Sequence, residues 1–271
     1  MQKRLSCLAL VLALMMALSA PAAAAESSIG VVVNGTQVTS AATAKKINEN
    51  TYVSYWPVVA ALYPDAVVTW ENGQSVARAQ GLTLSVAPGA KYLAVNGRYL
   101  YVPDGIQTQD GSILVPARVL AKALGGEAGW DAANQSVVFR VDGTPLASGD
   151  TFYNSESLYW LSRIIYAESG NQSLEGKIAV GNVVLNRVAH PQFPNTVKGV
   201  IFQANQFTPV QNGSINRTPS SESVIAAKLC LDGANTAGSS LYFVNPSVSP
   251  NSWASRNRTC VATIGQHAFF A

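Results

Sequence analysis

The stretch LYWLSRIIYAESGNQSLEGKIAVGNVVLNRV, Leu158 to Val188, leaves this chain few folds to choose from. Its apolar residues recur at helical spacing, which predicts two helices joined by a turn at Gly170–Asn171. Leu158, Leu161, Ile164 and Ile165 share one arc of the first helical wheel, and Glu168 falls inside that arc. A carboxylate on the core side of a helix is costly to ionise, so burial raises its pKa. A carboxyl group that keeps its proton near neutral pH is what a general acid requires. The competing reading is that Glu168, one turn from the helix end, turns outward to water. The second helix is apolar almost all round except for a strip of Glu175, Asn182 and Asn186. Buried polar groups need partners, so this strip either stitches the fold together or lines a site. Asn186 reads as a stitch; Glu175 is open between the two.

The first 25 residues read as a leader. Lys3 and Arg4 precede an apolar run from Leu5 to Leu18, and Pro21 and Ala22 to Ala25 follow it. This is the pattern of a secretory signal peptide, residues 1–25, cleaved after Ala25. No other stretch is apolar enough to span a membrane, so the expected product is secreted, with no membrane attachment after cleavage. Removing Lys3 and Arg4 takes the balance from 18 basic against 15 acidic residues to 16 against 15. No basic stripe remains to neutralise phosphates, which argues against nucleic acid as a partner. Two cysteines remain, Cys230 and Cys260, and an oxidising compartment predicts a disulfide between them.

Between Ile29 and Val141 the sequence copies itself at an offset of about 62 residues. Val33-Asn34-Gly35 recurs as Val95-Asn96-Gly97, and Val68-Thr69-Trp70 has its echo at Gly129-Trp130. Asn-Gly between alternating apolar residues predicts a hairpin. Each copy is expected to run hairpin, helix, then two short strands, with Trp70 and Trp130 as core anchors. The run LVPARVLAKALGG followed by Trp130 and SVVF resembles the domain named for the N-terminal region of copper amine oxidases. The name carries no chemistry here, because no histidine precedes His190. The resemblance implies a spacer or wall-polymer-binding domain over residues 26–145. Tyr92, Tyr99 and Tyr101 are then either ordinary strand residues or sugar-stacking platforms. A linker at Asp142 to Asp150 leads into a second domain, residues 151–271.

That second domain has five acidic residues, Glu156, Glu168, Glu175, Glu222 and Asp232. His190 and His267 are far apart and in no zinc-ligand spacing, so no metal and no other cofactor is expected. His190 reads as a surface residue before Pro191, and His267, beside Ala268-Phe269-Phe270, as a core histidine. A thiolate nucleophile would need Cys230 or Cys260 free and paired with His267.

The sequence from IIYAESGNQSLEGKIAVGNVVLNRV through VIFQANQFTPVQNGSI and LYFVNPS to the closing IGQHAFF resembles the cell-wall hydrolase family of the spore cortex-lytic enzymes. The resemblance implies a small lysozyme-like, mainly helical catalytic domain, so the whole chain is expected to be α+β. It implies cleavage of peptidoglycan, of spore cortex or vegetative wall, between N-acetylmuramic acid and N-acetylglucosamine. It makes Glu168 the catalytic acid and keeps Glu175 as a second candidate. Where members commonly read Glu-Ala-Arg-Gly-Glu, this chain reads Glu168-Ser169-Gly170-Asn171-Gln172, so the second glutamate is replaced by Gln172 and falls to substrate contact. Glycoside hydrolases need two carboxylates about 5–5.5 Å apart for retention or about 6.5–9.5 Å for inversion. A lytic transglycosylase manages with one, and with so few acids the single-glutamate route fits better. A muramidase-type hydrolase, an amidase of the same wall and a non-catalytic wall-binding protein are the alternatives. Substrate contacts are expected from Gln206, Phe207, Thr208, Tyr242, Asn245 and Trp253, with Arg256 and Arg258 placed to meet carboxylates of the wall or simply solvated. The protein is expected in the cell wall or spore envelope.

Overall fold

The structure, a computed structural model, describes residues 29–39 and 43–271; the expected leader lies outside them. Three sheets make up the N-terminal half. The first runs β12 (Gly126–Asp131), β13 (Ser136–Val141), β1 (Gly30–Val33) and β2 (Thr36–Gln37). The second runs β10 (Gln107–Gln109), β11 (Ser112–Pro116), β4 (Asn50–Ser54) and β3 (Ala44–Ile47). The third runs β5 (Val67–Glu71), β6 (Gln74–Ala79), β7 (Leu82–Val86), β8 (Tyr92–Val95) and β9 (Arg98–Tyr101). Two short helices, α1 (Tyr55–Leu62) and α2 (Ala117–Ala123), complete it.

Asn34 and Gly35 both take positive φ, 49° and 82°, as do Asn96 and Gly97, 49° and 77°. Positive φ at both central residues is the turn that matches the twist of paired strands. Each helix is preceded by two hairpins, not the expected one. The additional outer strands, β3 and β10, are short and polar, and lie at the edges of their sheet. They carry no alternation from which a strand could be read. In the central pairing of that sheet Val53 faces Val115, with Ser54 opposite Leu114 and Tyr52 opposite Pro116. The first strand closes the half by pairing in parallel with the last, from Gly30 with Ser136 to Val33 with Phe139.

The core of this half is aliphatic with a few rings: Tyr52, Val58, Leu84, Leu93, Leu120 and Phe139 are sealed from solvent. Trp70 and Trp130, expected as its anchors, are instead 62% and 49% exposed. Both sit on edge strands, β5 and β12, where the neighbouring layer ends and nothing covers a large ring.

The C-terminal half begins with α3 (Gly149–Phe152) and is mainly helical: α4 (Ser155–Ser169), α5 (Leu174–Ala189), α6 (Val197–Ile201), α7 (Thr208–Gln211), a 3-10 turn (Ser214–Asn216) and α8 (Ser221–Leu231). A short helix, α9 (Trp253–Asn257), then lies beside a small sheet ordered β14 (Tyr242–Val244), β16 (His267–Phe270), β15 (Cys260–Ile264). Helices α4, α5 and α8 close on Leu161, Ile164, Ile165, Ile178, Val183 and Leu229. Gly181 lets them approach: a Cβ there would lie 2.6 Å from Cys230 Sγ and 2.9 Å from Ile165 Cδ1. The expected disulfide does not form. Cys230 is buried in this helical core and Cys260 exposed on a strand, and both are free.

The two halves are joined by more than the linker. Tyr92, Tyr99 and Tyr101 pack on the helical core, so they are contact residues and not open platforms. Arg98, buried on β9, pairs with the buried Asp232 at the end of α8, its Nε 3.1 Å from Oδ1. Tyr153 donates to the same carboxylate at 2.5 Å, and Lys228 Nζ donates to Gly97 O at 3.0 Å.

Candidate active site

The end of α4 holds the first candidate. Asn154 caps the helix start, its side chain accepting from Ser157 N at 2.8 Å. The apolar face predicted from spacing is the buried one, with Leu161, Ile164 and Ile165 sealed. Glu168 continues that face and is half-buried one residue before the helix ends. Burial pushes its carboxyl up to about 6, and no neighbouring charge contributes to the shift.

The turn that follows is pinned from two sides. Gln172 is nearly buried; its Nε2 donates to Gln266 Oε1 at 3.1 Å and its Oε1 accepts from Gln266 N at 3.0 Å. Its backbone carbonyl accepts from the buried Lys177 at 2.5 Å, and Lys177 also pairs with Glu222 at 2.6 Å. Gln172, expected to touch substrate, is therefore a tie between the helix turn and the β15–β16 hairpin, with its amide already committed.

Glu175, the second candidate acid, turns to the other half and pairs with Lys91. Partial burial alone would raise its pKa, but Lys91 and local hydrogen bonds hold the carboxyl below its usual range. An ionised, paired carboxylate is a poor proton donor. The rest of its strip is stitching: Asn182 bridges Ala234 O at 2.7 Å and Thr236 N at 2.9 Å, while Asn186 donates to Gly238 O and Ser240 O, both at 2.9 Å.

Of the expected substrate contacts, Phe207 is 3% exposed and belongs to the core, so its ring cannot stack on a ligand as it stands. Asn245 forms a turn, accepting from Ser247 N at 3.0 Å. Gln206 and Thr208 are exposed at the start of α7. Tyr242 is half-buried on β14, and Trp253, 53% exposed at the start of α9, meets it edge-on at 5.5 Å. Arg258 lies over both rings, 5.0 Å from Trp253 and 5.5 Å from Tyr242. One residue absent from the sequence-based set joins them. Arg187 is buried on α5; Nε donates to Leu241 O at 2.7 Å and Nη1 to Gln206 Oε1 at 3.1 Å. The one arginine of α5, outside the strip of Glu175, Asn182 and Asn186, was the available signal.

Among the described residues neither histidine is hydrogen-bonded to a thiol or belongs to a cluster that could hold a metal. His267 packs against Phe243 at 5.3 Å, and its burial lowers the pKa and keeps the ring neutral. His190 accepts from Gln192 N at 3.3 Å just past the end of α5. The Cys230 thiol, which donates to Ile178 O, is held far above its usual pKa by burial. It offers no thiolate for the cysteine alternative.

The cell wall hydrolase family matches residues 171–270, a span that begins just past Glu168, and the copper amine oxidase N-terminal domain matches residues 32–139. A spore cortex-lytic enzyme of Bacillus cereus is 35% identical over 127 residues, 47% of this chain and 48% of that protein. The spore cortex-lytic enzyme of Oceanobacillus iheyensis is 32% identical over 127 residues, 47% of this chain and 46% of that protein. The chain thus spans about half the length of these relatives. Among solved structures, the catalytic domain of the germination-specific lytic transglycosylase SleB from Bacillus anthracis is 33% identical, with all of that chain and 46% of this one aligned at a TM-score of 0.42. This chain carries a domain of the cell wall hydrolase family behind a copper amine oxidase N-terminal-type domain.

Proposed function

We propose that the protein is a secreted peptidoglycan-cleaving lytic transglycosylase with Glu168 as its single catalytic acid and base. The observation that carries this reading is Glu168 itself: half-buried, with its carboxyl raised to about 6 by burial alone. In the protonated form it gives its proton to the glycosidic oxygen that leaves C1 of N-acetylmuramic acid. The resulting carboxylate takes the proton of the C6 hydroxyl as that oxygen bonds to C1. The products are a 1,6-anhydromuramoyl end and a free N-acetylglucosamine hydroxyl, and Glu168 regains its proton. No water is consumed and no second carboxylate is needed, which agrees with Glu175 being held ionised by Lys91. The relatives named as spore cortex-lytic enzymes support the substrate class.

Secretion follows in this reading from the leader at residues 1–25 and a mature chain of two domains, residues 26–145 and 151–271. The N-terminal domain is read as two copies of one unit. The opposition of Val53 and Val115, with flanking partners exchanged, supports this, as two units related by a local two-fold axis would pair in that way. Digestion of purified peptidoglycan followed by mass spectrometry tests the reaction. Anhydro-sugar ends that vanish with Glu168→Gln are expected. New reducing ends would indicate a hydrolase instead, and freed stem peptides an amidase.

A further inference from the structure

We infer that Arg187 and Arg258, which both lie against Tyr242, form with that ring and the adjoining Trp253 a subsite that binds the carboxylate borne by the muramic acid of the glycan. The inference rests on the proposed peptidoglycan reading and names the chemical group that this part of the domain recognises.

Charge pairing in the C-terminal half is the starting point. Of the five acids in residues 151–271, Glu156 pairs with Lys198, Glu222 with Lys177, Glu175 with Lys91 and Asp232 with Arg98. Glu168 is the fifth and takes no ion pair among the described residues. Among the described residues no side-chain carboxylate forms an ion pair with Arg187 or Arg258. A buried guanidinium without a counter-charge is expensive and uncommon in a protein interior. Arg187 is 5% exposed and is held by the Leu241 carbonyl, the Gln206 amide oxygen and three ring faces. Phe193, Phe207 and Tyr242 lie 5.1, 5.4 and 5.5 Å from its guanidinium carbon. Such faces attract a cation but do not neutralise it. Among the described residues its Nη2 has no hydrogen-bond partner, and it is not sealed from solvent.

Arg258 is exposed and also lies 5.5 Å from the Tyr242 ring. A tyrosine ring near two guanidiniums, beside a partly exposed tryptophan, matches an acidic sugar part for part. The indole takes the pyranose face, and the arginines take a carboxylate through charge-assisted hydrogen bonds. In the glycan of peptidoglycan, the carboxyl group is that of the lactyl ether on N-acetylmuramic acid, or of the peptide attached to it. N-acetylglucosamine carries none, so the subsite would also fix which sugar of the alternating strand sits there.

Calorimetric titration of the full chain carrying Glu168→Gln, which keeps the ligand intact, tests this. The probes are the tetrasaccharide of alternating N-acetylglucosamine and N-acetylmuramic acid with free lactyl carboxylates, and its methyl ester. The acid should bind at least about tenfold more tightly than the ester, as expected for loss of a charge-assisted contact. Adding Arg258→Gln, on the exposed side, should bring the acid down towards the ester and leave the ester unchanged. Arg187→Lys, provided circular dichroism shows a folded chain, should do the same, because lysine keeps the charge but loses the planar fork. Equal affinity of the starting chain for both probes, including none measurable for either, overturns the subsite, as does an equal loss for both with Arg258→Gln. Anhydro-sugar production by the unmodified chain is measured alongside. If it occurs without acid preference the subsite fails and the proposed reaction stands; acid preference without it leaves the subsite standing and removes the reaction.

Discussion

The two halves of this molecule treat polar groups in opposite ways. In the N-terminal half the buried polar side chains are Ser54, Ser75, Arg98 and Ser136, and the one charge among them is turned towards the other half. The C-terminal half buries Gln172, Lys177, Asn182, Arg187 and His267, and half-buries Glu168. Keeping such groups from water is destabilising unless each is satisfied, and most here are. Gln172, Lys177 and Asn182 hold the loops around the end of α4. Glu168 and Arg187 remain short of partners, and both are where the proposed chemistry is placed. Among the described residues the N-terminal half also leaves buried atoms without a partner, Gln109 Oε1 and Ser136 Oγ, but these are neutral. Ionisable groups short of partners, the kind that mark functional sites, are those of the C-terminal half.

The largest expected break in this contrast comes from Glu168→Gln. Loss of a general acid should lower lysis of purified peptidoglycan by about 10²–10⁴-fold. The same substitution should not destabilise the fold. Because the folded pKa lies above the unfolded one, the native state holds its proton more tightly. Stability from this group is full below pH about 4.5 and falls as pH rises to about 6. Above that pH the ionised group costs at most about 2 kcal/mol, which the glutamine removes. Urea unfolding at pH 8 and pH 4 should therefore show a gain for Glu168→Gln at the higher pH and none at the lower. In the unmodified chain the same pKa places the alkaline fall of kcat/KM near pH 6. A profile flat to pH 8 would remove Glu168 as the acid.

Next in size is Asp232→Ala, which leaves Arg98 buried without its partner at the joint between the halves. Breaking such a pair costs about 3–5 kcal/mol, read by urea denaturation. A cost under about 1 kcal/mol, the range of exposed pairs, would mean that the halves are merely tethered. Glu175→Gln removes a more exposed pairing with Lys91 and should cost no more than about 1 kcal/mol. Its lytic activity should stay close to that of the unmodified chain. Losses equal to those of Glu168→Gln would return Glu175 to the chemistry as a second carboxylate.

Helices α4 and α5 were legible because their apolar spacing runs long enough to fix both the element and its buried face. That face delivered Glu168. The residues around it were not legible for the same reason in reverse: Gln206, Phe207 and Asn245 lie in short elements and turns without period. There the outward Gln206 and the inward Phe207 look equally eligible. Gln172 falls to substrate contact from its place in the family motif; its role as a tie was not legible because its partner, Gln266, is distant in the chain. Arg187 was not legible, because what sets it apart is the set of Phe193, Phe207 and Tyr242 that the fold brings around it. In the N-terminal half the Asn-Gly turns marked hairpins reliably, since few residues accept positive φ. The polar edge strands β3 and β10 gave no such signal.

The smallest expected effect belongs to Trp70→Ala and tests the N-terminal side of the contrast. A tryptophan on a strand with apolar neighbours reads as a core anchor, and truncating one costs about 3–5 kcal/mol. At 62% exposure on the edge strand β5, Trp70 has little to lose. Its removal should change stability by no more than about 0.5 kcal/mol, as for surface positions generally. Leu84→Ala, two strands inward and sealed from solvent, should by contrast cost about 2–5 kcal/mol. Urea midpoints for the pair decide the matter. If Trp70→Ala matches Leu84→Ala, the ring is covered in solution and the sheet edge is not where the structure puts it. If it does not, the open indole is surplus to the fold, and the aliphatic core alone holds this half together.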